Sequence, residues 1–287
     1  MHTITISKPT IHTRWQGIPA GIQVIRSIEF KRIGKRRLLL DIYMPEAPGK
    51  AEPQAVPLRS GTPSRSAAVP VVVWFCGGGW RGMSRFGPPV VSAWLAGHGF
   101  AVIGADYRVS GEAKFPAAVD DCCDVVRWVR RHGKKHQLDP RRIGTWGDSA
   151  GGHLAALVGL KTKVQAVAAY CPPTDLALMV DKVFVPEFIG GTPAEKPRAY
   201  AAASPVTHVR RGAPSHLIAH GTEDKTVPFE QATRYAARLD AVGTEVTLVR
   251  FPGVGHDSAT LYSALQMKRI VAQFFCRHLK ARTPRRT

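Results

Sequence analysis

From residue 70 onward the chain repeatedly changes its hydrophobic period, and that alternation admits few architectures. Segments rich in β-branched residues at 70–75, 100–106, 142–146, 164–170, 216–219 and 245–251 are separated by amphipathic ones at 89–98, 116–132, 154–161 and 229–241, and a last one covers 261–280. A period near two that keeps giving way to one near 3.6 is the mark of βαβ units. It predicts an α/β chain with a mostly parallel sheet and helices on both faces. Two further β-rich segments, 22–30 and 37–43, flank Gly34 and predict an antiparallel hairpin at the sheet edge, for eight strands in all.

The whole of 1–287 reads as one domain, with 1–21 as an N-terminal extension. Two stretches interrupt the alternation. Residues 45–70 hold six prolines and read as a surface loop. Residues 171–206 are long for a connection and carry Leu176, Met179, Phe184 and Phe188, so they are expected to form a small cap over one end of the sheet. There is no internal repeat.

Charge and cysteine content remove several function classes. Forty Lys and Arg against twenty-one Asp and Glu give a formal charge of +19, enough to raise nucleic acid or an anionic membrane as partners. The basic residues fall in short groups (31–37, 127–135, 141–142, 277–286) across the chain, without a nucleic-acid motif or an interleaved aromatic platform, and this dispersal argues against both; no dedicated nucleic-acid partner is expected. The longest uncharged run, 87–105, is broken by Pro88, Pro89, Gly97 and Gly99, so no membrane span is expected. The first residues lack a basic stretch followed by an apolar one, so no signal peptide is read. Five cysteines, Cys76, Cys122, Cys123, Cys171 and Cys276, show no CxxC spacing and predict neither a disulfide framework nor a zinc site. A reducing, cytoplasmic setting fits them.

Gly147-Asp148-Ser149-Ala150-Gly151 sits between a predicted strand and a predicted helix, which turns a common GxSxG pattern into a nucleophile elbow. A serine hydroxyl is a weak nucleophile, so it needs a general base, and the base needs an acid that fixes its tautomer. Of eleven histidines, His256 lies just past the last predicted strand, where a loop can swing an imidazole back over the elbow. Asp224, in the loop after the preceding strand, is the expected acid, with Glu223 and Asp257 as rivals. Cys76-Gly77-Gly78-Gly79-Trp80 directly follows the strand at 70–75, where a glycine run can turn N–H groups toward a developing oxyanion, joined by the N–H of Ala150.

These stretches, with Asp106-Tyr107-Arg108-Val109-Ser110, Phe115-Pro116-Ala117-Ala118 and His220-Gly221-Thr222-Glu223-Asp224, resemble the α/β-hydrolases of the hormone-sensitive-lipase-like group, close to bacterial acetyl-esterase and feruloyl-esterase-like members. The resemblance covers 22–279. It implies an α/β-hydrolase fold and hydrolysis of small carboxylic esters, with Ser149 as nucleophile, His256 as base, Asp224 as acid, and Gly78, Gly79 and Ala150 as oxyanion donors. One position departs from the pattern: Cys76 stands where the group has the histidine of its HGGGW motif, so the glycine loop is expected to be held differently. A cysteine ending a central strand is expected to be an inert apolar residue.

No metal or organic cofactor is expected, because each step has a side chain or amide assigned to it. Trp80, Phe184 and Phe188 are expected to shape the substrate pocket. The expected partner is a small ester, with the charge surplus suggesting an anionic or carbohydrate ester, and the reading allows a homodimer. The same triad serves an aryl formamidase, small amidase or peptidase. A reading from another class is an inactive module that binds an anionic ligand, against which the intact Ser, Asp and His set argues.

Overall fold

The computed structural model describes residues 1–11, 18–46, 68–82, 84–85 and 89–280. Most of the proline-rich stretch read at 45–70 lies outside them. The strands are β1 His2–Thr5, β2 Ile22–Ile33, β3 Arg36–Pro45, β4 Val69–Phe75, β5 Ala101–Ala105, β6 Leu138–Asp148, β7 Ala166–Tyr170, β8 Ser215–Gly221 and β9 Val246–Phe251. They form a single sheet in the order β1-β9-β8-β7-β6-β4-β5-β3-β2, parallel except for the hairpin β2–β3 at one edge. Gly34, at φ +56°, supplies the left-handed residue in the hairpin turn.

The central strands carry apolar residues on both faces because helices cover both. Val71, Val73 and Phe75 of β4 face a core shared with α2 (Ala117–His132), α3 (Ala150–Thr162) and α6 (Glu230–Ala241). Val72 and Trp74 face the other core, with α1 (Pro89–Gly97) and α8 (Leu265–Leu279). A strand buried on both sides loses the polar alternation of a half-exposed one. That is why β4 reads as an unbroken apolar run.

Two expectations are corrected. The sheet has nine strands rather than eight, because residues 2–5, read as part of an extension, pair in parallel with β9 from Thr247 to Arg250. Four residues are too few to show a period of their own. The last helix is two: α7, Ser258–Ser263, and α8 are separated by Ala264, whose ψ of 121° is extended. Ala264 bridges to Ile11, and Leu265 N–H donates to the Thr10 carbonyl at 2.9 Å. The break comes from a distant segment, and no Gly or Pro marks it locally.

Residues 171–206 contain a helical turn at Leu176–Met179, then α4 (Phe184–Ile189) and α5 (Pro197–Ala203). From β4 the chain moves to β5 on one side, and from β6 to β7 on the other. The loops after β4 and β6 therefore part at the C-terminal edge of the sheet, the switch point where open α/β sheets leave a crevice.

Candidate active site

β6 ends at Asp148, α3 begins at Ala150, and Ser149 between them has φ 51° and ψ −124°. A non-glycine residue at positive φ is strained and persists only where its surroundings hold it. Here they do. A Cβ on Gly151 would lie 2.1 Å from the Phe75 carbonyl oxygen, and one on Gly147 2.4 Å from that of Gly151. Both contacts are with backbone, so only glycine permits so tight a turn against β4. Ser149 N–H donates to the Tyr170 carbonyl at 2.8 Å, and His153 N–H to the Ser149 carbonyl at 2.9 Å.

The loops after β8 and β9 bring Asp224 and His256 back across the end of β7. His256 Nε2 lies 2.9 Å from Ser149 Oγ, and His256 Nδ1 lies 2.6 Å from Asp224 Oδ2. Of the rival acids, Glu223 is exposed, and Asp257 instead caps α7 by accepting from Thr260 N–H at 3.0 Å. Asp224 is held on its other oxygen, where Oδ1 accepts the N–H groups of Thr226 and Val227 at 2.9 and 2.8 Å. His220 Nε2 stands 3.2 Å from Oδ2. Burial by itself would raise the Asp224 carboxyl, but the hydrogen bonds from His220, His256 and Val227 more than offset it and leave it well below the usual carboxylate range. A group depressed in this way adds stability above its unfolded pKa and loses it only as pH falls through the folded value. Asp224 therefore stays charged through mild acid.

The glycine loop runs beside the elbow. Gly78, Gly79 and Trp80 have φ of 118°, 60° and 56°. Among the described residues nothing accepts a hydrogen bond from the N–H of Gly78, Gly79 or Ala150. Unpaired amide donors are costly unless a ligand completes them, and these are the three expected to meet an oxyanion. The loop is tied at three points. Tyr107 OH donates to the Cys76 carbonyl at 2.8 Å, Ser110 N–H donates to the Trp80 carbonyl at 2.7 Å, and Trp80 Nε1 donates to His153 Nδ1 at 3.2 Å. His153 Nε2 in turn donates to the Ala203 carbonyl at 2.7 Å. Burial holds His153 neutral, its pKa pushed down to about 4, as an imidazole that accepts on one nitrogen and donates on the other must be. Burial likewise raises the Cys76 thiol, which keeps it protonated and unreactive.

The three aromatic residues expected to line the pocket divide. Trp80 and Phe188 are 0% and 1% exposed and stack at 4.3 Å with an interplanar angle of 12°. They brace the glycine loop from behind and offer no surface to a substrate. Phe184 is half-buried, and a Cβ on Gly79 would touch its side chain at 3.5 Å, so it sits beside the loop.

Two residues of the site escaped sequence reasoning. Cys171, buried at the end of β7, lies beneath the triad: its Sγ, an Asp224 oxygen and a His256 nitrogen all fall within 4.8 Å of one another, the one such cluster of metal-type ligands among the described residues. Asp224 and His256 are already bonded to each other, and burial raises the Cys171 thiol and keeps it protonated, a poor ligand for an ion.

Asp148 is the second. Its carboxylate accepts from Tyr262 OH at 3.0 Å, and it is also hydrogen-bonded by Ser258 and by the Gly77 N–H. One side chain thus joins the nucleophile turn, the glycine loop and the helix that follows His256. Its place in the GDSAG motif was visible, but Tyr262 lies 114 positions away and carries no local signal. Burial raises the Asp148 carboxyl despite these bonds. A raised carboxyl costs stability while ionised at neutral pH, and the cost is relieved as pH falls. Asp148→Asn is therefore expected to lower kcat about tenfold through misplaced loops without lowering Tm. Turnover assays with calorimetry on the purified variant check both; a lower Tm with unchanged kcat would mark the residue as purely structural.

Comparison with known proteins places this geometry. The sequence profile of the BD-FAE family matches residues 60–239. Esterase LipC of Mycobacterium tuberculosis is 30% identical over 223 residues, covering 69% of this chain and 55% of that protein. The chain spans about half the length of the curated relatives it matches first. Among solved structures, a thermophilic esterase of Thermogutta terrifontis superposes with a TM-score of 0.71 at 28% identity, covering 93% of this chain and 95% of that one. A truncated carbohydrate esterase from gut microbiota gives 0.74 at 25% identity, covering 89% and 95%. The shared fold is that of the α/β-hydrolase esterases.

Proposed function

The chain belongs to the BD-FAE family, and from that premise we propose that it is a serine carboxylesterase that hydrolyses small carboxylic esters through an acyl-enzyme. The observation that carries this reading is the unbroken line from Asp224 through His256 to Ser149, at 2.6 and 2.9 Å. Ser149 Oγ attacks the ester carbonyl carbon while His256 Nε2 takes its proton. The carbonyl oxygen becomes an oxyanion within reach of the Gly78, Gly79 and Ala150 N–H groups. The imidazolium, stabilised by ionised Asp224, returns the proton to the departing alcohol oxygen. Water then attacks the acyl-enzyme with His256 again as base, and Ser149 is released with the carboxylic acid.

The acyl group we assign is short or feruloyl-like. The Thermogutta terrifontis esterase has been solved with propionate and with butyrate bound, and the gut-microbiota relative is a carbohydrate esterase. The ester we assign is neutral. Two cations flanking the glycine loop and the 171–206 segment are matched by carboxylates: Arg81 pairs with Glu187 at 2.6 Å and Lys182 with Asp181 at 2.9 Å. The main group of unmatched cations, at 130–135, 141, 163 and 210–211, lies at the other end of the strands, about 20 Å away, beyond the Debye length of about 8 Å at physiological salt. We also place the protein in the cytoplasm, since its five cysteines are all free. No helix among the described residues is long and apolar enough to cross a membrane.

The test is initial rate on p-nitrophenyl acetate, butyrate and octanoate and on methyl ferulate, with Ser149→Ala as blank. Ser149-dependent turnover that peaks on acetate, butyrate or ferulate and changes less than twofold between low and physiological salt is expected. Absence of Ser149-dependent turnover on every ester would overturn the reading.

A further inference from the structure

Ester hydrolysis leaves the formal charge of +19 unused. Basic groups dispersed in the sequence are gathered by the fold. The parallel strands begin on the edge opposite Ser149, and the helices that connect them end there. On this edge Arg130 and Arg131 close α2 and Lys134 and Lys135 occupy the turn that follows, all four exposed. Arg141 lies in the first half of β6 with its side chain 91% exposed. Lys163 follows α3, and Arg210 and Arg211 precede β8; these too are exposed.

Hydrogen bonds join these segments into one surface. Arg130 donates to the Thr162 carbonyl at 2.6 Å and to that of Lys163 at 3.2 Å, and Arg210 donates to the Leu160 carbonyl at 3.4 Å. Arg130, Lys134 and Arg141 line one cleft, and Lys163, Arg210 and Arg211 line another. The starts of β4, β6, β7 and β8, which this surface surrounds, span about 15 Å.

The part of this edge formed by the eight cations is nearly free of negative charge; the carboxylates farther along it, Asp240 and Glu245, are paired with the N-terminal amine and with Arg277. Across 130–142, 161–164 and 210–214 the sequence holds a single carboxylate, Asp139, which is buried and bonded by Arg142 at 2.7 Å. Among the described residues, the eight cations share one carboxylate contact, Arg141 to Asp139 at 4.0 Å. Cations favour helix C-termini, and that accounts for Arg130 and Arg210, which donate to terminal carbonyls. Arg131, Lys134, Lys135 and Lys163 also stand in or just past the last turn of a helix, but their side chains, like that of Arg211, make no hydrogen bond among the described residues and remain free for an outside partner. Holding that many like charges together is repulsive unless an anionic surface relieves it.

We propose that this edge docks the protein peripherally on an anionic phospholipid bilayer, with the catalytic edge turned to the water. The chemistry of the edge favours a bilayer over nucleic acid. A groove reader projects a helix or ribbon, and a single-strand reader stacks bases on exposed rings. This edge is built of helix C-termini and tight turns, and no Phe, Tyr or Trp among the described residues is exposed. Diffuse charge suits headgroups, and each cation near an anionic leaflet strengthens partitioning roughly fivefold. The site of hydrolysis stays open in the docked state, because it faces the other way.

Sedimentation with phosphatidylcholine vesicles containing 0 to 40% phosphatidylglycerol tests this on the full chain. Binding is expected to rise with anionic lipid and to fall at high salt. Reversing Arg131, Lys134, Arg141 and Arg211 to Glu should reduce it at least a hundredfold. The same charge change placed elsewhere, with Lys8, Lys35, Lys182 and Arg198 each changed to Glu, should reduce it less than tenfold. Should charge reversal disturb folding, judged by Tm and by esterase rate on a soluble ester, the four Gln variants carry the same comparison. No lipid binding by the natural chain, equal losses in the two sets, or tighter binding of RNA or DNA oligomers than of vesicles at the same salt would each overturn the proposal. Esterase failure would not touch it, since the surface shares no residue with the triad.

Discussion

Replacing Ser149 with Ala should abolish ester turnover, with a fall in kcat of roughly 10⁶-fold as in comparable triads, while leaving Tm within a few degrees. The size of the effect follows from what remains. Without Oγ there is no acyl-enzyme, and water would have to attack directly from wherever the cavity lets it sit. The unpaired Gly78, Gly79 and Ala150 N–H groups would still polarise a carbonyl, so a residual rate above background is expected from them. The fold should survive because, among the described residues, Oγ makes one hydrogen bond, to His256 at 2.9 Å. The strained turn itself is held by backbone contacts with Phe75 and Tyr170. Burst kinetics with p-nitrophenyl acetate and labelling by a fluorophosphonate probe check the result. A variant that still shows a burst or takes up the probe would remove Ser149 from the mechanism.

Asp224→Asn should cost about 10⁴-fold in kcat, again with little loss of fold, and here the surroundings dictate the chemistry. Oδ1 accepts two backbone N–H groups, from Thr226 and Val227. An asparagine must therefore place its oxygen there and turn its NH₂ toward His256 Nδ1. That nitrogen would then have to accept, so the proton of the neutral imidazole would move to Nε2, the atom facing Ser149 Oγ. An N–H at that position cannot take the serine proton. The loss should therefore fall on kcat, with KM nearly unchanged, and part of it should return at high pH as hydroxide does the work of the base. A tenfold loss or less would mean that His256 keeps its working tautomer without Asp224, through His220 or another partner.

Much of this is legible in the sequence. The change of period from two to 3.6 announced parallel strands and helices because each element buries a fixed face. The elbow was legible because glycine is the residue that can occupy positions where a Cβ would meet backbone, and Gly147 and Gly151 both do so. Asp224 and His256 could be nominated because loops after adjacent strands open onto the same edge. The ninth strand and the break at Ala264 were not legible: each arises from pairing with a segment far away in sequence, and pairing leaves no local pattern in four residues.

What the sequence determined by itself, then, was the class of fold and the residue types of the catalytic line, because both depend on local spacing and on the stereochemistry of single positions. What the tertiary structure decided was everything that depends on which distant groups meet. It put Trp80 and Phe188 behind the glycine loop rather than in a pocket, since the rings stack on each other and leave no exposed surface. It gave Asp148 three partners, one in the glycine loop and two in α7. It also brought basic groups at 130–135, 141, 163 and 210–211 onto one edge. Along the chain those charges look dispersed, but in a parallel sheet every strand start and every helix end returns to the same side.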